Sequence, residues 1–226
     1  MIDFYEGLSQ NLKASLLVIV GLIVFLTVFG KKAGNLDPRD KPRGVLFVLI
    51  FVVDTINNFI RDFYGTKWRT YAPILTAIFL YLAFANTASL FGLAAPLANM
   101  SIALSFSAIA FFTIQISGII VRNPLNRLKD LSSPNVLLLP LNLVGEISTP
   151  VAMGLRLFGN LLSGSVMAVV VYNLLDPFSS TLITLAVLHP IFNIGFGLIQ
   201  AMVYFMLLTI FLSMAIEEPE VAPDKS

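Results

Sequence analysis

Cysteine is absent from the 226 residues, which excludes disulfides, thiolate nucleophiles and thiolate metal sites. Histidine occurs once, and one imidazole argues against a histidine-rich metal centre. No metal and no cofactor is expected. Charge is also scarce. Asp, Glu, Lys and Arg make up 12% of the chain, against about 25% in ordinary soluble domains. The formal net charge is +1, and no basic patch with interleaved aromatics occurs, so nucleic acid is excluded as a partner. What fills the space is apolar, with 57% hydrophobic residues. That balance makes lipid the expected solvent.

The apolar runs are long enough to cross it, since a spanning helix needs roughly 20 mostly apolar residues. Residues 14–30 are near the short limit, and 71–93 and 100–121 suffice. Two longer stretches follow, 137–172 and 181–216. Residues 44–64 differ: Asp54, Asn57, Asn58, Arg61 and Asp62 recur at helical spacing. That pattern predicts an amphipathic helix lying at the interface. The expected fold is an all-α integral membrane protein. Five membrane helices and one interfacial helix form a single domain over 1–216, with a cytoplasmic tail at 217–226. A 36-residue helix over 181–216 would measure about 54 Å against about 30 Å of hydrocarbon, so it must tilt steeply or bend near Pro190. Together with 137–172 it predicts a long, slanting hairpin.

Eight of the fourteen Lys and Arg lie between Lys31 and Arg69, and three more are Arg122, Arg127 and Lys129. By the positive-inside rule both regions are cytoplasmic. The stretches 94–99 and 173–180 carry no Lys or Arg and are expected outside, with Asp176 in the second. The N-terminus is then outside and the C-terminus inside. Asp3 and Glu6 precede the first apolar run where a signal peptide would have a basic segment, so that run is expected to be retained. No Arg-rich transit segment is apparent, which favours a bacterial cell (inner) membrane.

Arg156 is the most informative residue. It is the sole charged side chain in 151–175. A charge at membrane depth costs at least about 2.5 kcal/mol and usually faces a pathway or a partner. Arginine does not deprotonate in proteins, so it acts as a fixed cation or holds a carboxylate and cannot relay protons. Glu146, ten residues earlier and beyond Pro150, falls on a different helical face, which leaves another chain as the mate. Asn160 and Gly164 continue the Arg156 face at i+4 and i+8. Gly154, Gly159, Ser163 and Ser165 make the same helix rich in small residues, which allows close helix approach. A second stripe runs through His189, Asn193, Gly197, Gln200 and Tyr204. It can serve interhelical hydrogen bonding or an aqueous path. Asn86, Thr87, Gln115 and Asn142 are further polar residues that can line a cavity.

The run from Pro140 to Asn160, and above all Gly154-Leu-Arg-Leu-Phe-Gly-Asn160, resembles the signature of the F-type ATP synthase a subunit. The block beginning Gln200-Ala-Met-Val-Tyr204 resembles the second motif of that family. The resemblance implies an ion-translocating stator subunit, not an enzyme on its own, with two half-channels facing a c-subunit ring. It implies peripheral-stalk b subunits and, indirectly, the F1 sector as partners, within the lipid bilayer. It makes Arg156 the essential fixed charge opposite the ring carboxylate, and Gln200 its polar partner. It places Asn160, Asn193, His189, Glu146, Ser165 and Tyr204 along the ion pathway. Many relatives have Glu where this chain has Ser165, and some have His where it has Asn193. His189, one turn earlier, can substitute, and Glu146 resembles an acid found in some relatives. The implied path is mostly neutral and hydrated, with protons as the default coupling ion and sodium as the alternative. A stand-alone channel or secondary transporter is the rival reading, but it predicts internal repeats and none is evident.

Overall fold

In the computed structural model, residues 9–35, 44–88, 93, 95–121 and 139–216 are described. The tail at 217–226, the cations Arg39, Lys41, Arg43, Arg122, Arg127 and Lys129, and the end of the expected 71–93 span lie outside them. The described chain is a set of helices. They are α1 (Gln10–Gly34), α2 (Val45–Tyr64), α3 (Trp68–Thr87), α4 (Met100–Val121) and α5 (Leu139–Leu174), then a long helix with altered hydrogen bonding, α6 (Pro177–Ile216).

Among the described residues, four helices are long and apolar enough to cross a membrane: α1, α4, α5 over Pro140–Leu174, and α6. The helix α3 holds the centre. Its Leu75, Leu82 and Ala85 are fully buried, and its Tyr81 hydroxyl meets Ser15 Oγ of α1 at 2.6 Å. The stretch expected at the interface is helical as α2, whose Ile56, Ile60 and Tyr64 turn inward while Val45, Phe47, Val48 and Phe51 stay exposed. Tyr64 donates to the Thr209 carbonyl at 2.9 Å and pins α2 to α6. In an apolar solvent, packing and a few interhelical hydrogen bonds hold helices together, and those bonds are worth about 0.6–2 kcal/mol each.

The long helices begin and end differently from the sequence expectation. The helix α6 starts at Pro177 rather than 181, so the turn after α5 is only Leu175 and Asp176. Asp176 caps it, accepting from the Ser179 amide at 3.0 Å, and Pro177 occupies the first helical position, where its missing N–H is not needed. The anticipated disturbance near Pro190 takes a specific form. Residues Thr184–Leu188 and Pro190–Phe196 form π-helical turns, with the His189 amide donating to the Thr184 carbonyl. Proline has no N–H and its ring crowds the carbonyl four residues back. Widening the turn to an i→i+5 pattern absorbs that conflict without breaking the helix.

Candidate functional site

The helix α5 has two unlike sides. Met153, Gly154, Leu157 and Leu161 are buried. At Gly154 the backbone approach is so close that an added Cβ would lie 2.8 Å from the Ala103 carbonyl oxygen and would overlap Ser107 Oγ. The small residue is therefore what lets α4 and α5 touch. On the other side Val151, Leu155, Leu162, Val166 and Val169 are exposed. Arg156 emerges beside this apolar surface. It is exposed, and its guanidinium has no hydrogen-bond or ion-pair partner among the described residues.

Of the residues expected to share that face, Asn160 is half-buried and Gly164 turns toward α6, where an added Cβ would meet Phe192 Cβ at 3.0 Å. Ser165 is exposed, and its hydroxyl is used locally, donating to the Leu162 carbonyl at 2.8 Å. Nine residues of helix rotate it about 180° from Arg156. Glu146 is half-buried and accepts from Gln115 Nε2 at 2.7 Å, joining α5 to α4.

The α6 stripe divides. His189, between the two π-helical turns, and Asn193, within the second, are half-buried. Gly197 is buried against Asn86, whose Nδ2 donates to the Gly197 carbonyl at 2.9 Å. Tyr204 is fully buried and donates to the Phe106 carbonyl at 2.6 Å. Gln200 is 8% exposed, yet its Nε2 has no hydrogen-bond partner. Ser107 Oγ and Thr184 Oγ1 share that condition on α4 and α6. A buried polar group left unpaired costs about 1–3 kcal/mol, so three of them near one helix hairpin call for a polar partner or water.

Depth along the hairpin follows from counting residues away from its turn. Arg156 is about 27 Å back along α5 from Leu174, and Gln200 about 34 Å along α6 from Pro177, at 1.5 Å per residue. The two are near the same level. His189, Asn193 and Ser165 lie on the turn side of that level, and Glu146 with Gln115 lies on the far side. Polar residues thus lie on both sides of Arg156 along the hairpin axis.

The Glu146–Gln115 pair, the Asn86–Gly197 bond and the orphaned Ser107 and Thr184 were not legible as a group. Gln115 stands between two isoleucines and Asn86 beside Thr87, and their pairing is nonlocal. The sole available signal was their polarity inside otherwise apolar helices.

A family profile described as ATP synthase A chain matches residues 14–213. The chain is 30% identical over 208 residues to ATP synthase subunit a of Streptococcus agalactiae serotype Ia, covering 87% of this chain and 85% of that one. It is 28% identical over 218 residues to ATP synthase subunit a of Sulfurihydrogenibium sp. (strain YO3AOP1), covering 94% of this chain and all of that one.

Proposed function

The chain belongs to the family of ATP synthase A chains, and from that premise we propose which of its residues move the ion and how. It is the ion-translocating membrane subunit of the synthase, the part that couples ion flow to ATP synthesis, and it catalyses no reaction by itself. Arg156 carries the residue-level reading: an exposed, permanently charged guanidinium on an apolar helix face, with no mate among the described residues.

The outer face of α5 meets a ring of c subunits, and Arg156 meets each ring carboxylate in turn. At 4 Å and an effective dielectric of 20, two unit charges interact by about 4 kcal/mol. That favours the ionised carboxylate by roughly a thousandfold, so an arriving acid sheds its proton before it passes. The same field opposes a free cation crossing at that level. The ion must then ride the ring, and the ring must turn. One half-path is supported by His189, Asn193 and Ser165 on the hairpin-turn side, and the other by Glu146 with Gln115. Gln200 and Asn160 complete the level of Arg156, the free Nε2 of Gln200 being a donor for the carboxylate or for water. Tyr204, bonded to Phe106, forms the wall behind them. The positive-inside pattern places the hairpin turn outside the cell membrane. The b subunits of the peripheral stalk hold the chain as stator.

Arg156→Ala is expected to abolish ion-driven ATP synthesis in membrane vesicles and to raise passive proton conductance. Arg156→Lys is expected not to restore coupling, because a compact ammonium can lose its proton and lacks the planar fork. Near-normal synthesis by the Lys variant would refute the fixed-charge reading. The coupling ion is the proton. Sodium uptake into proteoliposomes that persists with a protonophore present would show it to be sodium instead.

A further inference from the structure

Away from the α5–α6 hairpin, α1, α2 and α3 enclose a groove of about 370 Å³. Its walls are mostly apolar, with Leu26, Ala72 and Leu80 among them, but its polar lining is particular. Arg69 and Asn57 line it, as does Thr76, whose buried Oγ1 has no hydrogen-bond partner. Pro73 lines it too, and a proline inside α3 leaves the Arg69 carbonyl without its usual i+4 donor. The groove therefore presents a cation and an acceptor on one residue, with a hydroxyl two turns, or about 10 Å, deeper.

The mouth of the groove is more cationic than its floor. Trp68, the one tryptophan in the chain, lines it, with the Arg61 guanidinium 4.7 Å and the Arg69 guanidinium 5.7 Å from the ring centroid. Both arginines are exposed, and neither has a carboxylate partner among the described residues. Asp54 is the nearest acid on the groove side of α2, two turns or about 10 Å along the helix from Arg61. Asp62 points away from the groove, about 100° around from Arg61. Tryptophan and arginine at the end of a membrane helix mark headgroup depth, and basic pockets between membrane helices suit anionic lipid headgroups.

We propose that this groove binds an anionic phospholipid of the phosphatidylglycerol class. The Arg61 and Arg69 guanidiniums take the phosphate. A glycerol hydroxyl donates to the Arg69 carbonyl, and Thr76, about 10 Å deeper, pairs with an acyl-ester oxygen on the other side of the phosphate. The volume suits a headgroup and glycerol, not two acyl chains, so the chains lie outside along exposed Leu26, Ile23 and Phe84. Phosphatidylcholine offers the phosphate but carries a compensating cation and no hydroxyl donor, so the site discriminates against it.

The test uses the intact complex in liposomes, with photoactivatable phosphatidylglycerol or phosphatidylcholine bearing the same acyl chains. Phosphatidylglycerol is expected to label α1 and α3 peptides in preference to phosphatidylcholine. Arg61→Gln and Arg69→Gln are each expected to reduce that labelling about fivefold, as one basic residue at a charged surface predicts. Ala77→Trp, which fills the groove without altering charge, is expected to reduce it as well and guards against misassembly of the arginine variants. Equal labelling of the parent protein by both lipids would overturn the proposal, as would labelling indifferent to all three substitutions. Efficient cross-linking of Ala77→Cys to another subunit would show a protein in the groove and overturn it too.

Discussion

Gly154→Ala tests the close approach of α4 and α5, and two opposing terms set its size. Alanine is intrinsically better than glycine inside a helix by about 0.8–1.0 kcal/mol. At residue 154, however, the new Cβ would sit 2.8 Å from the Ala103 carbonyl oxygen, where ordinary contact begins near 3.4 Å. Backbone cannot swing aside as a side chain can, so α4 and α5 must part by about 0.6 Å over their whole contact. Overpacking of this kind costs about 1–3 kcal/mol. Gly21→Ala in α1 is the reference, because nothing lies within 4 Å of its added Cβ and it registers only the helix gain. The difference between the two variants cancels propensity and leaves the packing term, roughly a 5- to 150-fold change in the folding equilibrium. Sodium dodecyl sulfate titration of the purified subunit, followed by the fluorescence of Trp68, reads it. Ser107→Ala removes the nearest atom and an unpaired hydroxyl. It is expected to relieve part of the Gly154→Ala penalty, not all, because the Ala103 oxygen remains. Equal stability of Gly154→Ala and Gly21→Ala, within about 0.5 kcal/mol, would refute the close approach.

Gly159 has nothing within 4 Å of an added Cβ and lies about 60° around α5 from Arg156. Gly159→Leu is expected to leave the subunit's own folding intact while slowing ATP-driven pumping severely, and normal pumping would place the rotor elsewhere. Tyr204→Phe removes the 2.6 Å bond to the Phe106 carbonyl and is expected to lower stability by about 0.5–1.5 kcal/mol in the same titration, with ion specificity unchanged. The amide of Ser179, bonded to the Asp176 carboxylate, holds that carboxyl's pKa below its ordinary value. A depressed folded pKa means stability present above the unfolded value and lost as pH falls through the folded one. Hydrogen exchange at Ser179 is therefore expected to quicken relative to intrinsic rates in acid, and Asp176→Asn is expected to abolish that pH dependence while keeping the cap.

Much of this protein is decided by composition and spacing along the chain. The apolar runs dictate membrane helices because the bilayer core rewards continuous hydrocarbon and requires backbone groups to bond internally. Hence the apolar run at 100–121 coincides with α4, Met100–Val121. Arg156 announces itself for the same reason, since a permanent charge in such a run needs a function to offset its cost. Tertiary structure decided what periodicity cannot carry. The stripe from His189 to Tyr204 is uniform on paper, but folding divides it. Gly197 and Tyr204 are spent on Asn86 and Phe106, Gln200 is buried with an unused donor, and His189 and Asn193 stay half-open. Those partners lie 111 and 98 residues away. Helical spacing gives the direction of a side chain but not which helix waits there, and only the packed bundle supplies the second half of each pair.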